Sequence, residues 1–195
     1  MDKTLAARLA RHPVIATLYG ADLIDDFIGS AAEISIVANF ELRRLQSVVQ
    51  TLIGAKKYPI VNIDSCDGLS QDKGGVDYLA EIGAKGLVST RVATVQRAKR
   101  AGLVAVQKVF VTDRSTFPRS VAALEQSEPH LVQLMPAPML PHIPPQSRKA
   151  MPPIIASGFV CDRAGVVAAV KAGAVAVSTS DKGLWKLSAQ ALRGG

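Results

Sequence analysis

Eight short apolar runs, most of them rich in β-branched residues, alternate along the chain with longer segments of helical spacing. The runs are predicted as strands at Val14–Leu18, Ile34–Val37, Pro59–Ile63, Gly86–Val88, Val104–Val109, Leu131–Leu134, Ile154–Ala156 and Val175–Val177. Strands separated by helices pair in parallel through right-handed crossovers, and eight such units can close into a barrel without sheet edges. The sequence therefore predicts an α/β fold, a compact TIM-like (β/α)8 barrel of minimal size.

The length of the chain leaves one alternative open. A barrel of this type usually needs roughly 200 to 250 residues, and this chain has 195, which we expect to form a single barrel domain over residues 1–195. An open doubly wound sheet is the rival architecture, and it normally carries a glycine-rich fingerprint after its first strand. The segment Leu18–Asp22 has no such fingerprint, so the barrel is favoured.

Composition limits the classes of function. The chain is 48% hydrophobic and has a net charge of +7, which favours anionic partners: either RNA or, for a small basic enzyme, anionic substrates. Cys66 and Cys161 belong to no CxxC pair, so neither a disulfide framework nor a zinc site is expected. No secretory signal or membrane-spanning run is visible. We therefore expect a cytoplasmic protein with no membrane partner, metal or cofactor.

Small residues follow the last two predicted strands. Ser157 and Gly158 come after the seventh strand, and Ser178–Ser180 come after the eighth. Backbone N–H groups in such turns can approach a phosphate closely, and in (β/α)8 barrels these two turns commonly form a phosphate site. The sequence therefore predicts a phosphate cradle near its carboxyl end.

Polar residues at the carboxyl ends of barrel strands face the ligand, so they are the candidate site residues. The predicted ligand-binding residues are Asp64, Arg91, Gln133, Ser157, Gly158, Ser178, Thr179 and Ser180. Asp64 could bind ligand hydroxyls, hold a metal or act as a base, or it could instead cap the following turn. Arg91 could neutralise a phosphate or instead lie on the surface of the next helix. Together these groups suit a small phosphorylated polyol.

Lys108 is the best candidate for covalent chemistry, since a desolvated lysine inside a barrel strand can form a Schiff base. We expect it instead to face the helices together with Val104 and Val106 and to reach solvent. No histidine lies at a strand end, and no hydrolase or NTPase motif occurs. A protein that is not an enzyme is therefore expected, with a small phosphosugar isomerase, lyase or synthase as the alternative.

Several segments together resemble the glycerol-3-phosphate-responsive antiterminator family. They are residues 62–72 (NIDSCDGLSQD), 86–91 (GLVSTR), 105–115 (AVQKVFVTDRS), 154–160 (IIASGFV) and 172–180 (AGAVAVSTS), followed by Leu184 and Trp185. The resemblance implies a barrel-like regulator that senses glycerol 3-phosphate and binds a leader messenger RNA. It places Asp64 and Arg91 at the ligand mouth and residues 157–158 and 178–180 in the cradle. Asn62, Lys108 and Gln133 stand where the family usually has His, Arg and Glu.

An RNA-binding regulator also needs a basic surface. The candidate RNA-binding residues are Arg43, Arg44, Lys56, Lys57, Arg97, Lys99 and Arg100. Each of them could equally belong to an ordinary solvated helix surface. Ligand binding would have to favour one conformation, or one homo-oligomer, that presents this surface to the RNA.

Overall fold

The computed structural model describes residues 3–193 of the chain and shows a closed barrel of parallel strands. The strands are β1 Val14–Leu18, β2 Ile34–Val37, β3 Tyr58–Asn62, β4 Gly86–Ser89, β5 Val104–Phe110, β6 Leu131–Met135, β7 Ile154–Ser157 and β8 Ala176–Thr179. Each strand pairs with the next one along the chain, and β8 pairs with β1 to close the barrel. The predicted barrel is confirmed, and the open sheet is excluded.

Helices cover the outside of the barrel and one of its ends. They are α1 Lys3–Arg11, α2 Ile24–Gly29, α3 Leu42–Gly54, α4 Lys73–Glu81, α5 Val92–Arg100, α6 Phe117–Ser127, α7 Pro145–Ala150, α8 Arg163–Lys171 and α9 Ala189–Arg193. Short 3-10 turns lie at Ala21–Leu23, Ile63–Ser65, Ala137–His142 and Lys182–Leu184. Among residues 3–193, no helix has both the length and the apolar character needed to cross a bilayer.

The apolar core has two layers, one inside the barrel and one between the sheet and the helices. Ile15, Ile60 and Val106 belong to the inner layer, in which Leu5 and Leu9 of α1 close the amino-terminal end of the barrel. The outer layer includes the buried face of α3, formed by Leu45, Val48, Val49 and Leu52. Burial of apolar area stabilises the folded state by about 25 cal/mol per Å². The helices therefore stabilise the sheet by covering its outer face, and the sheet is buried on both faces.

Most strands extend further toward their carboxyl ends than the apolar runs predict. Ser157 ends β7, and Ser178 and Thr179 end β8, whereas they were expected to lie in the loops. At β3 the shift is the opposite: Ile63 begins a 3-10 turn, and the strand starts one residue earlier at Tyr58. That residues 1–195 form one domain stays a prediction, and residues 1, 2, 194 and 195 lie outside the described part of the chain.

The predicted orientation of Lys108 was wrong. Val104 and Val106 belong to the inner layer of the barrel rather than the helix-facing layer. Because side chains alternate along a strand, Lys108 points into the barrel as well, and it lines the cavity at the mouth. The opposite face of β5 carries Gln107, whose amide donates to the carbonyl oxygens of Ser89 and Thr90 at 3.2 and 2.8 Å.

Candidate functional site

A cavity of about 450 Å³ opens at the carboxyl ends of the strands. Its floor consists of side chains that point inward from the ends of β1, β2, β3, β5, β6, β7 and β8. The polar ones are Thr17, Asn62, Lys108, Gln133, Ser157 and Ser178. In a (β/α)8 barrel this end is where ligands bind and reactions occur. The barrel thus brings together polar groups that are far apart in the sequence.

Two amide oxygens on this floor have no hydrogen-bond partner within residues 3–193. Asn62 and Gln133 are only 6% and 5% exposed, yet Asn62 Oδ1 and Gln133 Oε1 accept no hydrogen bond. Gln133 Nε2 donates to Ser178 Oγ at 3.3 Å, and Ser178 Oγ shares a second hydrogen bond with Ser157 Oγ. A buried acceptor without a donor costs about 1–3 kcal/mol. The two oxygens are therefore suited to hydroxyl donors of a ligand.

The turns after β7 and β8 lie side by side and line the same cavity. Within residues 3–193, the backbone N–H groups of Gly158, Phe159, Val160 and Ser180 donate to no other protein group. Gly158 has a left-handed conformation (φ +82°), which lets the turn present these groups without a side chain at its apex. Clustered free N–H groups form a typical anion site, so the geometry agrees with the predicted phosphate cradle.

The two turns are fixed to each other by side-chain hydrogen bonds. Thr179 Oγ1 donates to Val160 O at 2.8 Å, and Trp185 Nε1 donates to Thr179 O at 2.9 Å. Asp181 lines the cavity rim, and its Oδ1 accepts from Gly183 N at 2.8 Å, which caps the following 3-10 turn. The cradle is therefore held in place before any ligand arrives.

Lys108 is the cation of this cavity. Its ammonium forms no hydrogen bond and no ion pair with any other residue in the described range. Burial lowers the pKa of Lys108 below the usual lysine value, and the negative charge of Asp64 opposes that shift. A half-buried ammonium without a partner is a counter-charge for an anionic ligand, and when deprotonated it is also a nucleophile.

Asp64 and Arg91 lie outside the cavity lining. The Asp64 carboxylate accepts hydrogen bonds from Ser89 Oγ and Thr90 N at 2.6 Å and from Thr90 Oγ1 at 2.9 Å. These bonds join the turn after β3 to the end of β4. Arg91 is exposed and occupies the position that precedes α5. The structure thus brings together Gln133 and the five cradle residues, with Asp64 acting as a brace and Arg91 at the surface.

Comparison with known proteins gives the family. The family described as "Glycerol-3-phosphate responsive antiterminator" matches residues 14–185. The chain belongs to this family. The Escherichia coli (strain K12) protein YgcP is 26% identical over 185 residues, which are 94% of this chain and 97% of that protein.

Two solved structures have the same barrel. A glycerol uptake operon antiterminator regulatory protein from Listeria monocytogenes is 25% identical with a TM-score of 0.83, covering 88% of this chain and 94% of its own. A glycerol uptake operon antiterminator-related protein from Thermotoga maritima MSB8 is 22% identical with a TM-score of 0.81, covering 91% of this chain and 99% of its own.

In this member of the antiterminator family, the basic residues predicted to bind RNA lie at two ends of the barrel. Arg43 and Arg44 are in the first turn of α3, near the mouth, where Arg43 pairs with Glu41. The other five follow α3 or occupy the last turn of α5, at the opposite end: Lys56, Lys57, Arg97, Lys99 and Arg100. They do not form one continuous patch with the first pair.

Several cavity residues of this family member were not predicted as ligand-binding residues. Thr17, Asn62 and Lys108 belong to the floor, while Tyr19 and Phe159 lie at the rim. Tyr19 and Phe159 are 51% and 86% exposed, although large aromatic side chains are usually buried. Their common feature is their position, since each lies near the carboxyl end of a barrel strand or just after it. No group of three or more His, Cys, Asp or Glu that could hold a metal occurs within residues 3–193.

Proposed function

We propose that this protein is an RNA-binding transcription antiterminator of glycerol-utilisation genes, acting on a leader messenger RNA in the cytoplasm. Its cavity binds glycerol 3-phosphate or a similar phosphate ester. The observation that carries the proposal is the chemistry of the cavity: free N–H groups, one ammonium and two unpartnered amide oxygens line it together. Membership of the antiterminator family supports a regulator rather than an enzyme.

Each part of a phosphorylated polyol has a counterpart in the cavity. The phosphoryl oxygens accept from the free N–H groups of Gly158, Phe159 and Ser180, and Lys108 supplies a positive charge. The polyol hydroxyls donate to Asn62 Oδ1 and Gln133 Oε1, which removes the cost of leaving these acceptors unpaired. A ligand that lacks either the phosphoryl group or the hydroxyls satisfies only half of the site.

Regulation requires that the ligand bind two states of the protein with different affinity. The state that binds the ester more tightly is also the one that binds the leader RNA, either as a single chain or as a homo-oligomer. By linkage, RNA must then raise the affinity for the ester by the same factor.

Thermal unfolding with a panel of compounds tests the ligand. We expect glycerol 3-phosphate to stabilise the protein, by about 2.7 kcal/mol at one hundred times its dissociation constant, because it binds only the folded state. Glycerol and inorganic phosphate are the matched controls, and each should stabilise less at equal concentration. Equal stabilisation by inorganic phosphate and by the ester would contradict a polyol site. In mobility-shift assays with a glycerol-operon leader transcript, the ester should strengthen binding.

The inward position of Lys108 favours one second candidate, a small phosphosugar enzyme. An amine at the barrel mouth beside a phosphate cradle can condense with the carbonyl group of a phosphorylated ketose or aldose, releasing water and forming an imine. Burial lowers the pKa of Lys108, which increases the reactive deprotonated fraction. The imine would be the shared intermediate of an isomerase or lyase.

Borohydride trapping separates the two candidates. If the second candidate is correct, treatment with dihydroxyacetone phosphate and borohydride reduces the imine to a secondary amine, and peptide mass spectrometry finds the added mass on Lys108. The antiterminator proposal predicts an unmodified Lys108 under conditions in which glycerol 3-phosphate still stabilises the fold. Exposed lysines such as Lys73 provide the internal measure of nonspecific labelling.

A further inference from the structure

We infer that the RNA phosphates bind at the amino-terminal end of the barrel, opposite the ligand cavity, in a recess that we call the basal recess. This inference rests on the proposed function. The basal recess has a volume of about 540 Å³ and is lined by Arg8, Lys56, Lys57, Tyr58, Lys85 and Val104, among others. It lies between α1 and the turns that follow α3, α4 and α5.

The helices that follow the strands run antiparallel to them, so the last turns of these helices lie at the amino-terminal end of the barrel. Basic side chains concentrate in these last turns. The last turns of α1 and α5 contain Arg8 and Arg11, and Arg97, Lys99 and Arg100, respectively. The mouth end has charges of both signs: Asp72 and Asp162 cap the first turns of α4 and α8 and Asp181 lies at the rim, but Arg43, Arg44 and Arg91 lie at this end too. A polyanion is therefore attracted more strongly to the amino-terminal end than to the mouth.

Some cations of the basal recess are already engaged, and others are free. Arg8 pairs with Glu33 at 2.8 Å and donates to Lys56 O at 3.1 Å, and Lys57 Nζ donates to two carbonyl oxygens. The ammonium groups of Lys56 and Lys85 donate to no protein group within residues 3–193, and both side chains are exposed. Lys56 and Lys85 are thus the cations available to phosphates.

The backbone at Lys56 gives a second, independent argument. Lys56 has a left-handed conformation (φ +60°) in the turn after α3, whereas the equivalent turns after α4 and α5 have Gly83 and Gly102. Lysine is less stable than glycine in that conformation. The fold therefore holds the Lys56 side chain in the recess at a conformational cost that glycine would avoid.

The lining of the recess favours RNA over a membrane surface. Stable membrane contact needs exposed apolar side chains in addition to cations. The exposed large hydrophobic residues of the described chain are Tyr19, Phe110, Phe159, Val170 and Val175, and none of them lines the recess. A concave, cationic surface without apolar anchors matches the phosphate backbone of a folded RNA, which proteins recognise largely by shape and charge.

The recess and the ligand cavity are joined by shared strands. Tyr58 at the start of β3 lines the recess, and Asn62 at its end lines the cavity. On β5, Val104 lines the recess and Lys108 lines the cavity. Because the two sites lie at opposite ends, glycerol 3-phosphate and RNA should bind together rather than compete.

The test compares the double variant Lys56→Gly/Lys85→Gln with wild type. The probe is a fluorescent leader transcript of a glycerol-utilisation operon, and its affinity is measured by anisotropy at several salt concentrations with glycerol 3-phosphate present. We expect about tenfold weaker binding and a salt slope lower by about one for each lost phosphate contact. The single variant Lys56→Gly should melt at the same temperature as wild type or higher, which shows that the fold is intact.

The matched control is Lys73→Gln/Lys186→Gln, which removes the same charge from two exposed lysines outside the recess. Its affinity should equal that of wild type. Equal losses in both double variants, or an unchanged affinity in the recess variant, would overturn the basal site while leaving RNA binding itself intact. Wild-type protein that binds no RNA would contradict the proposed function. If the wild-type protein binds vesicles of anionic phospholipid and the recess variant does not, the partner of the recess is a membrane surface rather than RNA.

Discussion

Replacing Lys108 by methionine should weaken the binding of glycerol 3-phosphate about 10- to 100-fold and should raise the melting temperature of the ligand-free protein. The loss follows from the removal of the cation of the cavity, because hydrogen bonds to charged groups contribute about 1.5–3 kcal/mol. The gain in stability follows from removing a half-buried ammonium that has no hydrogen-bond partner within the described residues. Calorimetric titration and thermal unfolding measure the two effects.

The stability difference should depend on pH in a defined direction. Burial lowers the pKa of Lys108 in the folded state, so the unfolded state binds more protons as the pH approaches that lowered pKa. The wild-type protein therefore gains stability as the pH rises through the folded pKa of Lys108, and the methionine variant lacks this gain. The advantage of the variant should shrink as the pH rises toward 10.5, the ordinary pKa of lysine.

Lys186→Met is the matched control, since Lys186 is exposed and lines neither the cavity nor the basal recess. It should change neither the affinity nor the pH dependence of stability. An unchanged affinity in Lys108→Met would show that the ester binds without this ammonium, and a drop in melting temperature would show that the ammonium has a stabilising partner.

The eight strands could be predicted from the sequence because apolar, β-branched runs mark a sheet that is buried on both faces. Their carboxyl ends could not, since β7 and β8 continue through Ser157 and through Ser178 and Thr179. These polar residues are buried by ladder pairing and by hydrogen bonds across the cavity floor. Polar residues break the apolar pattern at the place where each strand reaches the cavity, and therefore the pattern ends too early.

For a related reason, the sequence predicted the positions of some residues of the candidate site and not those of others. The sequence could predict that the turns after β7 and β8 meet, because the barrel geometry places consecutive strand ends side by side. That these turns bind a phosphate stays a prediction. The direction of Lys108 depended on which face of β5 carries Val104 and Val106, and both faces of this strand are apolar. Asp64 has the residue type and position of a ligand group, and only its three hydrogen bonds show that it braces the strand ends.

Replacing Trp185 by alanine should destabilise the protein by about 3–5 kcal/mol, the range for large aromatic residues in a core. Trp185 is fully buried, and its ring meets Phe27 edge-to-face with centroids 6.1 Å apart. Its indole N–H also holds the carbonyl oxygen of Thr179, next to the cradle. For a protein of this size the melting temperature should fall by roughly 10 °C. Circular dichroism is the suitable probe, because Trp185 is the one tryptophan of the chain.

Trp185→Phe separates packing from hydrogen bonding. Phenylalanine keeps an aromatic ring against Phe27 but cannot donate to Thr179 O, so the expected loss is about 1–2 kcal/mol, mostly for the unpaired buried carbonyl and the smaller ring. The turn after β8 loses its hydrogen bond to the indole in this variant, and glycerol 3-phosphate should bind more weakly than to wild type. Equal destabilisation by phenylalanine and alanine would mean that the hydrogen bond to Thr179, rather than the ring, holds this end of the barrel together.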